Sequence, residues 1–311
     1  MRVVFMGTPS FAVPPLAAIA AAGHEILAVV AQPDRPAGRG HALKAPATKV
    51  WAREKDVPVL QPEKVRDGRL AAELEALRPD VLCVAAYGRI LGKDLLTLAP
   101  FGAVNVHGSL LPAYRGAAPI QWAIANGEAE SGVSIMQMDE GLDTGDVLLQ
   151  RAVPIAPEDT AETLAPKLAG LGGEALVAAL ALLAKGALVP VRQDPAQATT
   201  ARILVKEDGR VDWARPARRI ADRLRGFSPW PGAWTTLDGR TVKLLAARPE
   251  AGAGAAGRPG EARKAAGLGL SVACGDGTSL LVTRLQPEGK APQDALAFLN
   301  GLRREAVAFA T

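Results

Sequence analysis

The stretch RVVFMG at residues 2–7 and the TPSF that follows it at residues 8–11 decide the class of fold. The first is an apolar run with β-branched residues that ends in glycine, which predicts a buried strand and a turn. Residues 11–22 then carry the apolar pattern of a helix. Further strands are predicted at residues 26–31, 81–86 and 103–106, with helical stretches such as residues 68–77 between them. This alternation predicts an α/β domain with a mostly parallel, Rossmann-like sheet covered by helices on both faces.

The same domain is expected to continue to residue 185. Strands are predicted at residues 133–138 and 147–153. A helix is predicted to start near Asp159 and to run toward Lys185, with Pro166 kinking it or delaying its start.

The chain changes character after this helix. Residues 186–203 have no periodicity and are rich in Pro, Gln and Thr, which predicts a linker. Residues 204–311 contain short strands closed by Asp-Gly turns, which are typical of a small β-barrel or sandwich. The predicted organisation is therefore a first domain at 1–185, a linker at 186–203 and a second domain at 204–311.

The composition is that of an ordinary globular protein. The chain has 311 residues, 49% hydrophobic and 22% charged, with a mean hydropathy of +0.11, which excludes disorder over most of its length. Its longest uncharged apolar run, residues 175–184, is about half of a membrane span, so no transmembrane or targeting segment is expected. Cys83 and Cys274 lie far apart, outside any CxxC pattern, which argues against a disulfide framework or a zinc site. A reducing, cytoplasmic setting is expected.

The net charge of +4 is unevenly distributed. Residues 1–202 carry 19 Lys and Arg against 21 Asp and Glu, net −2, whereas residues 203–311 carry 17 against 11, net +6. Six arginines crowd the start of the second domain, namely Arg210, Arg215, Arg218, Arg219, Arg223 and Arg225. The overall excess is mild and does not by itself indicate a nucleic-acid partner, but a positive surface is expected at the start of the second domain.

The stretch NVHGSLLP at residues 105–112 is the strongest candidate for a site of chemistry. Side chains two apart on a strand share a face, so Asn105 and His107 project together at the point where the strand ends. Ligands of parallel α/β sheets bind at such strand ends. His suits proton transfer near neutral pH, and Asn can donate to a developing oxyanion. The same pattern also fits a structural His beside a turn-forming Asn.

The stretch MDEGLDTGD at residues 138–146 is a polar loop with four carboxylates. The spacing of an EF-hand calcium loop is absent. The pattern fits either an acidic surface loop or a loop that supplies a carboxylate, such as Asp143, to orient and charge an active-site His.

Residues 32–44 form a long basic stretch with several Gly and Pro residues, for which no regular secondary structure is predicted. Arg35, Arg39, Lys44 and Lys49 outnumber Asp34 and predict a positive loop at a strand end that could reach phosphates, although a solvated loop fits equally. The turn at residues 7–11, after the first predicted strand, lacks the second and third glycines of a dinucleotide fingerprint. Pro9 also removes an N–H group that could bind a phosphate. No Walker A, Gly-x-Ser-x-Gly or His-Glu-x-x-His pattern occurs.

Taken together, these motifs resemble the 10-formyltetrahydrofolate-dependent formyltransferase family, and specifically the branch of it that acts on methionyl-tRNA. HGSLLP at 107–112 with YRG at 114–116 resembles the signature of the whole family, and the basic stretch 32–40 resembles an insertion typical of the tRNA-acting branch. The other matching stretches are GAAPIQ at 116–121, GLDTGD at 141–146, RGFSPWPGAW at 225–234 and LQPEGK at 285–290. The resemblance extends over almost the whole chain.

The resemblance implies transfer of the formyl group of 10-formyltetrahydrofolate to the α-amino group of methionine on initiator tRNA, with no metal. It implies a catalytic trio of Asn105 as oxyanion donor, His107 as proton carrier and Asp143 as the group that orients His107. It further implies a C-terminal, OB-like, tRNA-binding domain. The remaining residues that it implies are Ser109, Leu110, Leu111 and Pro112 for folate and Arg35, Arg39 and Lys44 for tRNA.

Three other classes of protein are compatible with part of this pattern, and the first of them contains two enzymes. A hydrolase of formyl-tetrahydrofolate or a formyltransferase acting on a small amine would share the trio but would not need the basic loop. An RNA-binding protein with an inactive α/β domain is disfavoured by the intact Asn105, His107 and Asp143. A nicotinamide dehydrogenase is disfavoured by the broken glycine fingerprint.

Overall fold

The computed structural model describes residues 1–37, 42–251, 257–265 and 267–310. Its contacts divide the chain into two units. The first comprises Met1–Pro119, Glu130–Pro154 and Ala165–Arg202; the second comprises Ile120–Ala129, Ile155–Leu164 and Ile203–Thr311. Residues 186–202 thus belong to the first unit by their contacts, and the predicted division of the chain at 186–203 stays a proposal about independent domains.

The first unit is built on a seven-stranded sheet. The strands of this part of the chain are β1 (Arg2–Gly7), β2 (Glu25–Val30), β3 (Arg35–Ala37), β4 (Ala42–Lys44), β5 (Val59–Leu60), β6 (Val81–Ala85), β7 (Ala103–His107), β8 (Glu130–Gln137) and β9 (Val147–Pro154). The strand order is β5-β2-β1-β6-β7-β8-β9. The pairs from β5 to β7 are parallel, and β8 and β9 are antiparallel to their neighbours. The predicted mostly parallel α/β sheet is confirmed.

Helices alternate with these strands, as predicted. They are α1 (Val13–Ala21), α2 (Ala47–Glu54), α3 (Arg69–Ala76), α4 (Lys93–Leu96), α5 (Pro119–Ala125) and α6 (Ala161–Ala184), with short 3-10 turns at Ser10–Ala12 and Pro195–Gln197. Helix α6 begins at Ala161, so Pro166 does not delay its start. Strand order reverses direction between β1 and β6, and in open α/β sheets ligands bind beyond the carboxyl ends of the strands at such a point.

Helix α6 packs directly under the strand that carries Asn105 and His107. A Cβ atom on Gly172 would lie 2.7 Å from the Cγ1 atom of Val106, and one on Gly173 would lie 2.9 Å from the Cβ atom of Ala18. Glycine at these two positions therefore lets the helix approach the sheet closely. Helix α6 is long and apolar enough to cross a membrane by length and composition. Its residues Leu168, Leu176 and Leu180 are buried, as in a core helix.

The second unit contains an antiparallel half-barrel sheet. Its strands are β10 (Ala233–Leu237), β11 (Arg240–Pro249), β12 (Glu261–Ala265), β13 (Gly269–Ala273), β14 (Ser279–Pro287), β15 (Gln293–Asp294) and β16 (Ala306–Ala308), in the order β10-β11-β14-β13-β12-β16 with β15 beside β14. Its helices are α7 (Ala217–Gly226) and α8 (Ala295–Gly301), with a 3-10 turn at Lys206–Gly209. The core surrounds Trp213, which is fully buried and stacks on Phe309. Asp238 and Gly239 form the predicted tight turn between β10 and β11, with φ angles of 49° and 76°.

Two interpretations of the basic stretch 32–44 were wrong. The stretch does form regular structure, because β3 and β4 pair as an antiparallel hairpin in which Arg35 faces Lys44. Lys49 does not contribute to a positive surface, since it is 7% exposed and binds Asp34. Arg39 lies outside the described residues, as do residues 252–256 of the Gly-rich stretch in the second half.

Both cysteines are buried and free. Cys83 lies on the central strand β6, and burial raises the pKa of both thiols, that of Cys274 to about 12. Neither thiol is therefore a thiolate at neutral pH, as is typical of small buried residues.

Candidate active site

Strand β7 brings Asn105 and His107 to the carboxyl edge of the sheet. Its Val104 and Val106 are buried, and Asn105 is half-buried between its strand neighbours Val84 and Met136. Within the described part of the chain, the side-chain amide of Asn105 has no hydrogen-bonding partner. That amide is therefore available to a ligand.

The imidazole of His107 lies between two acceptors. Its Nδ1 atom is 3.6 Å from the Oδ2 atom of Asp143, and its Nε2 atom is 3.0 Å from the carbonyl oxygen of Tyr114. The ring is 6% exposed and Asp143 is 16% exposed, so the pair is largely removed from water. A neutral imidazole can donate to only one of these acceptors, whereas an imidazolium can donate to both. The two ring nitrogens thus each face an oxygen atom, one of a carboxylate and one of a backbone carbonyl.

Asp143 is held by the loop that follows the family-like HGSLLP stretch. The backbone N–H of Gly116 donates to Oδ2 of Asp143 over 2.9 Å. Gly116 has a φ of 118°, and a Cβ atom there would lie 2.7 Å from the carbonyl oxygen of Ala201. Glycine is thus required at 116 both by backbone conformation and by space.

The turn after His107 is fixed by a buried hydroxyl. Ser134 accepts a hydrogen bond from the backbone N–H of Leu111 (3.0 Å) and donates to the carbonyl oxygen of Ser109 (2.7 Å). The Nε2 atom of Gln150 donates to Ser134 and to the carbonyl oxygen of Leu111, each over 2.8 Å. The hydroxyl of Ser109 donates to the carbonyl oxygen of Ala113 over 2.7 Å. These bonds set the shape of the 109–112 turn.

The predicted folate residues differ in their access to a ligand. Ser109 and Leu111 are buried, and Leu110 and Pro112 are half-buried. Leu111 and Pro112 line a cleft of about 380 Å³ together with residues of β9 and of the segment 191–197.

Sequence reasoning did not anticipate that residues 186–202, which lie within the predicted linker 186–203, contact the loops of the site. Val191 forms two backbone hydrogen bonds of 2.8 Å with Val147 at the start of β9. Thr199 binds both Tyr114, whose N–H donates to its hydroxyl over 2.8 Å, and Arg115, whose N–H donates to its carbonyl over 2.8 Å. The segment therefore supports the loop that places a carbonyl against His107.

Gln193 of the same segment was missed as well. It is 6% exposed and contacts both Arg115 and the backbone of the Asp143 loop. The only signal in the sequence was a polar residue between Val191 and Asp194, which does not distinguish a buried amide from a solvated one.

The base of the β3–β4 hairpin is a partly buried polar cluster, in which the side chain of Asp34 is 29% exposed. Both carboxylate oxygens of Asp34 lie 2.8 Å from the Nζ atom of Lys49, which also donates to Gln61 over 2.7 Å. The Nε2 atom of Gln61 donates to Asp34 over 2.7 Å. Hydrogen bonds from Gln61 and then from Lys49 hold the pKa of Asp34 below its ordinary value. The side chains of Arg35 and Lys44 are exposed above this base.

Part of the predicted basic surface of the second unit is used internally. Asp222, which is 2% exposed, binds Arg225 (2.7 Å) and Arg218 (3.2 Å). Arg225 also donates to the carbonyl oxygen of Asp159 over 2.6 Å, and the guanidinium of Arg223 lies 4.9 Å from the ring centre of Phe227. Arg223 and Arg225 are half-buried, so four of the six arginines are exposed, namely Arg210, Arg215, Arg218 and Arg219.

Among the described residues, no group of three or more His, Cys, Asp or Glu side chains could hold a metal ion.

Comparisons with known proteins agree with this architecture. The family model described as formyl transferase matches residues 1–180, and the model described as formyl transferase, C-terminal domain matches residues 203–303. A methionyl-tRNA formyltransferase from Anaeromyxobacter dehalogenans (strain 2CP-1 / ATCC BAA-258) is 72% identical over 306 residues, which are 98% of each chain. This chain belongs to the methionyl-tRNA formyltransferase family.

Solved structures that are less than 25% identical share the fold of this family member. An N-formyltransferase from Helicobacter canadensis, in complex with folinic acid and dTDP-3-aminofucose, has a TM-score of 0.68 at 17% identity and covers 92% of this chain and 99% of its own. HypX from Aquifex aeolicus, in complex with tetrahydrofolic acid, has a TM-score of 0.65 at 19% identity and covers 98% of this chain and 48% of its own.

Proposed function

We infer that the chain transfers the formyl group of 10-formyltetrahydrofolate to the α-amino group of methionine on initiator methionyl-tRNA. The observation that carries this inference is the meeting of Asn105, His107 and Asp143 at the carboxyl end of β7, in a chain of this family. The reaction takes place in the cytoplasm, where its tRNA substrate is charged.

Asn105 is the proposed oxyanion donor. The amine attacks the formyl carbon, and the formyl oxygen gains negative charge as the tetrahedral species forms. The amide of Asn105 has no partner among the described side chains and backbone groups, so it can donate to this oxygen. A donor in such a position is worth about 3 kcal/mol of transition-state stabilisation.

His107 is the proposed proton carrier between the attacking amine and the departing folate nitrogen. Nε2 would exchange its hydrogen bond with Tyr114 for one with the reacting atoms, while Asp143 on the Nδ1 side stabilises the imidazolium. General acid–base help of this kind typically contributes about 10² to 10⁴-fold in rate.

Folate is proposed to bind between the 109–112 turn and the loops around residues 86–91 and 138–143. Ile90 and Leu142 support this placement, because these large apolar side chains are 69% and 66% exposed on the two loops and suit a flat aromatic ring. Tyr87 adds a buried hydroxyl without a partner in the described structure. Ser109 and Leu111 are buried, so they would act on folate binding through the shape of the turn. Pro112 is half-buried and would contact the folate directly. No metal is expected to take part.

The β3–β4 hairpin is proposed to bind the tRNA. Arg35 and Lys44 are paired across it and exposed, so both charges can reach one stretch of phosphate backbone. Arg39 belongs to the same proposed group from its place in the sequence.

Incubation with 10-formyltetrahydrofolate and methionyl initiator tRNA tests the function. We expect formyl-methionyl-tRNA, and no formylation of free methionine in the matched control. Release of formate without formyl-methionyl-tRNA would instead identify a hydrolase of formyl-tetrahydrofolate. Formylation of small amines in place of tRNA would identify a formyltransferase that acts on a small amine.

A further inference from the structure

The side chain of Gln193 connects two loops that meet at His107. One is the polar loop at residues 138–146, called here the Asp143 loop, and the other is the loop after residue 112 that carries Arg115. Its Nε2 atom donates to the carbonyl oxygens of Asp143 (2.9 Å) and Gly145 (2.6 Å). Its Oε1 atom accepts from the Nε and Nη2 atoms of Arg115, over 3.0 and 2.8 Å. Both N–H groups and both lone pairs of the amide are therefore used, and all of their partners belong to the two loops.

The orientation of this amide is dictated by its neighbours. Reversing it would put its NH₂ group against the guanidinium of Arg115 and its oxygen against two carbonyl oxygens, which gives repulsion on both sides. The segment that carries Gln193 is anchored two residues earlier, where Val191 pairs with Val147. The amide thus acts as a fixed crosslink.

The Asp143 loop needs such support. Asp143 has a φ of 54°, in the left-handed region that residues other than glycine rarely adopt. Its Oδ2 atom is 3.6 Å from Nδ1 of His107, slightly beyond hydrogen-bonding distance, so a shift of a few tenths of an ångström decides how strongly the two groups interact. Hydrogen bonds to the Asp143 and Gly145 carbonyls restrict that shift directly.

We propose that Gln193 is a positioning residue for the Asp143–His107 pair, which sets the Asp143 loop against Arg115 so that the carboxylate faces the imidazole. Gln193 uses all its polar capacity on protein groups and acts through Asp143 rather than on a substrate. The inference deepens the proposed function and rests on the catalytic role proposed there for His107 and Asp143.

The test uses the full chain with Gln193→Met, which keeps the length of the side chain but removes its hydrogen bonds, and Gln193→Glu, which keeps an acceptor for Arg115 but loses both donors. Val189→Met is the matched control, because it places a methionine in the same segment at a side chain that is 79% exposed. Two kinds of measurement are made. Steady-state kinetics gives kcat and the KM values for folate and tRNA, and NMR gives the imidazole ¹⁵N signals of His107. The chain has three histidines, so these signals are few.

We expect kcat to fall by about 10- to 100-fold in both Gln193 variants, as for a small misplacement of a catalytic group, with little change in either KM. The ¹⁵N signals of His107 should move while those of His24 do not, and Val189→Met should match the wild type in all readouts. Wild-type kcat and His107 signals in Gln193→Glu would overturn the proposal, even if Gln193→Met fails to fold. A similar loss in Val189→Met would also overturn it.

The His107 signals separate this proposal from the proposed function, since they need no substrate. Shifted signals in a protein whose wild type transfers no formyl group would support the positioning role and reject the reaction. Unchanged His107 signals in the variants of a protein whose wild type transfers the formyl group would support the reaction and reject the positioning role.

Discussion

The Oδ2 atom of Asp143 lies 3.6 Å from Nδ1 of His107 and accepts a 2.9 Å hydrogen bond from the backbone N–H of Gly116. One carboxylate oxygen thus serves both the loop and the imidazole. Replacing the carboxylate by an amide keeps the shape but removes the charge that stabilises an imidazolium. We expect Asp143→Asn and His107→Gln each to lower kcat by about 10² to 10⁴-fold. Circular dichroism should show an intact fold, and near-wild-type turnover in either variant would contradict the mechanism.

Asn105 offers a second test at the same strand end. Asn105→Ala removes a donor that has no protein partner within the described structure, so its effect should appear in the transition state and not in folding. We expect kcat to fall by about 10² to 10³-fold, with a similar melting temperature. A rise in KM for folate with unchanged kcat would show that the amide binds the ground state instead.

The hairpin charge should appear in the salt dependence of tRNA binding. Lys44→Ala removes one exposed cation next to Arg35, so it should weaken tRNA binding and reduce the slope of log K against log salt by about one. The KM for folate should not change. Lys55→Ala is the control, since Lys55 is an exposed lysine outside the hairpin. An equal effect of both variants would argue against a specific role of the hairpin.

The contribution of the Asp34 carboxylate, at the base of the hairpin, to the free energy of unfolding should depend on pH. Hydrogen bonds from Gln61 and Lys49 lower the pKa of Asp34, so the folded state favours its charged carboxylate. Its contribution to stability is complete above the ordinary pKa of an aspartate and is lost as the pH falls through the lowered value. Asp34→Asn should therefore reduce the free energy of unfolding at pH 7, and the difference from wild type should narrow at low pH. Asp56→Asn, at an exposed carboxyl, is the control.

Two glycines of α6 make a matched pair for the packing under β7. Gly170 is exposed, with no atom within 4 Å of a Cβ atom placed there, whereas a Cβ atom on Gly172 would meet Val106 at 2.7 Å. Gly170→Ala should raise the free energy of unfolding by about 0.5–1 kcal/mol, because alanine favours the helix. Gly172→Ala should lower it by about 1–3 kcal/mol through overpacking. Denaturant unfolding measures both, and equal effects would show that α6 tolerates a small displacement.

Local patterns were enough to predict the sheet and the polar face of β7. The β-branched runs mark the strands because each is buried, and alternation along one strand places Asn105 and His107 on one side. The same reasoning failed where a polar segment is ordered by distant partners. Gln193 and Arg115 are 78 residues apart, and a hydrogen bond over such a separation leaves no periodic signal.

Charge was equally hard to interpret from sequence. Lys49 and Arg225 look like surface cations in a list of residues, yet each binds a carboxylate in a protected position. The β3–β4 hairpin was missed because Gly and Pro outweighed the short pairing of Arg35–Ala37 with Ala42–Lys44. In each case tertiary contacts overrode the local preference.

The bonds of Thr199 and Ala201 to residues 114–118 have a consequence for engineering. A chimera that joins this N-terminal half to the C-terminal half of a relative would usually be cut where the sequence looks least structured, between residues 186 and 200. Such a junction would replace the strand-like support of Tyr114, Arg115 and Ala118 with foreign sequence. A crossover placed after Arg202 would keep Thr199 and Ala201 together with their partners at residues 114–118.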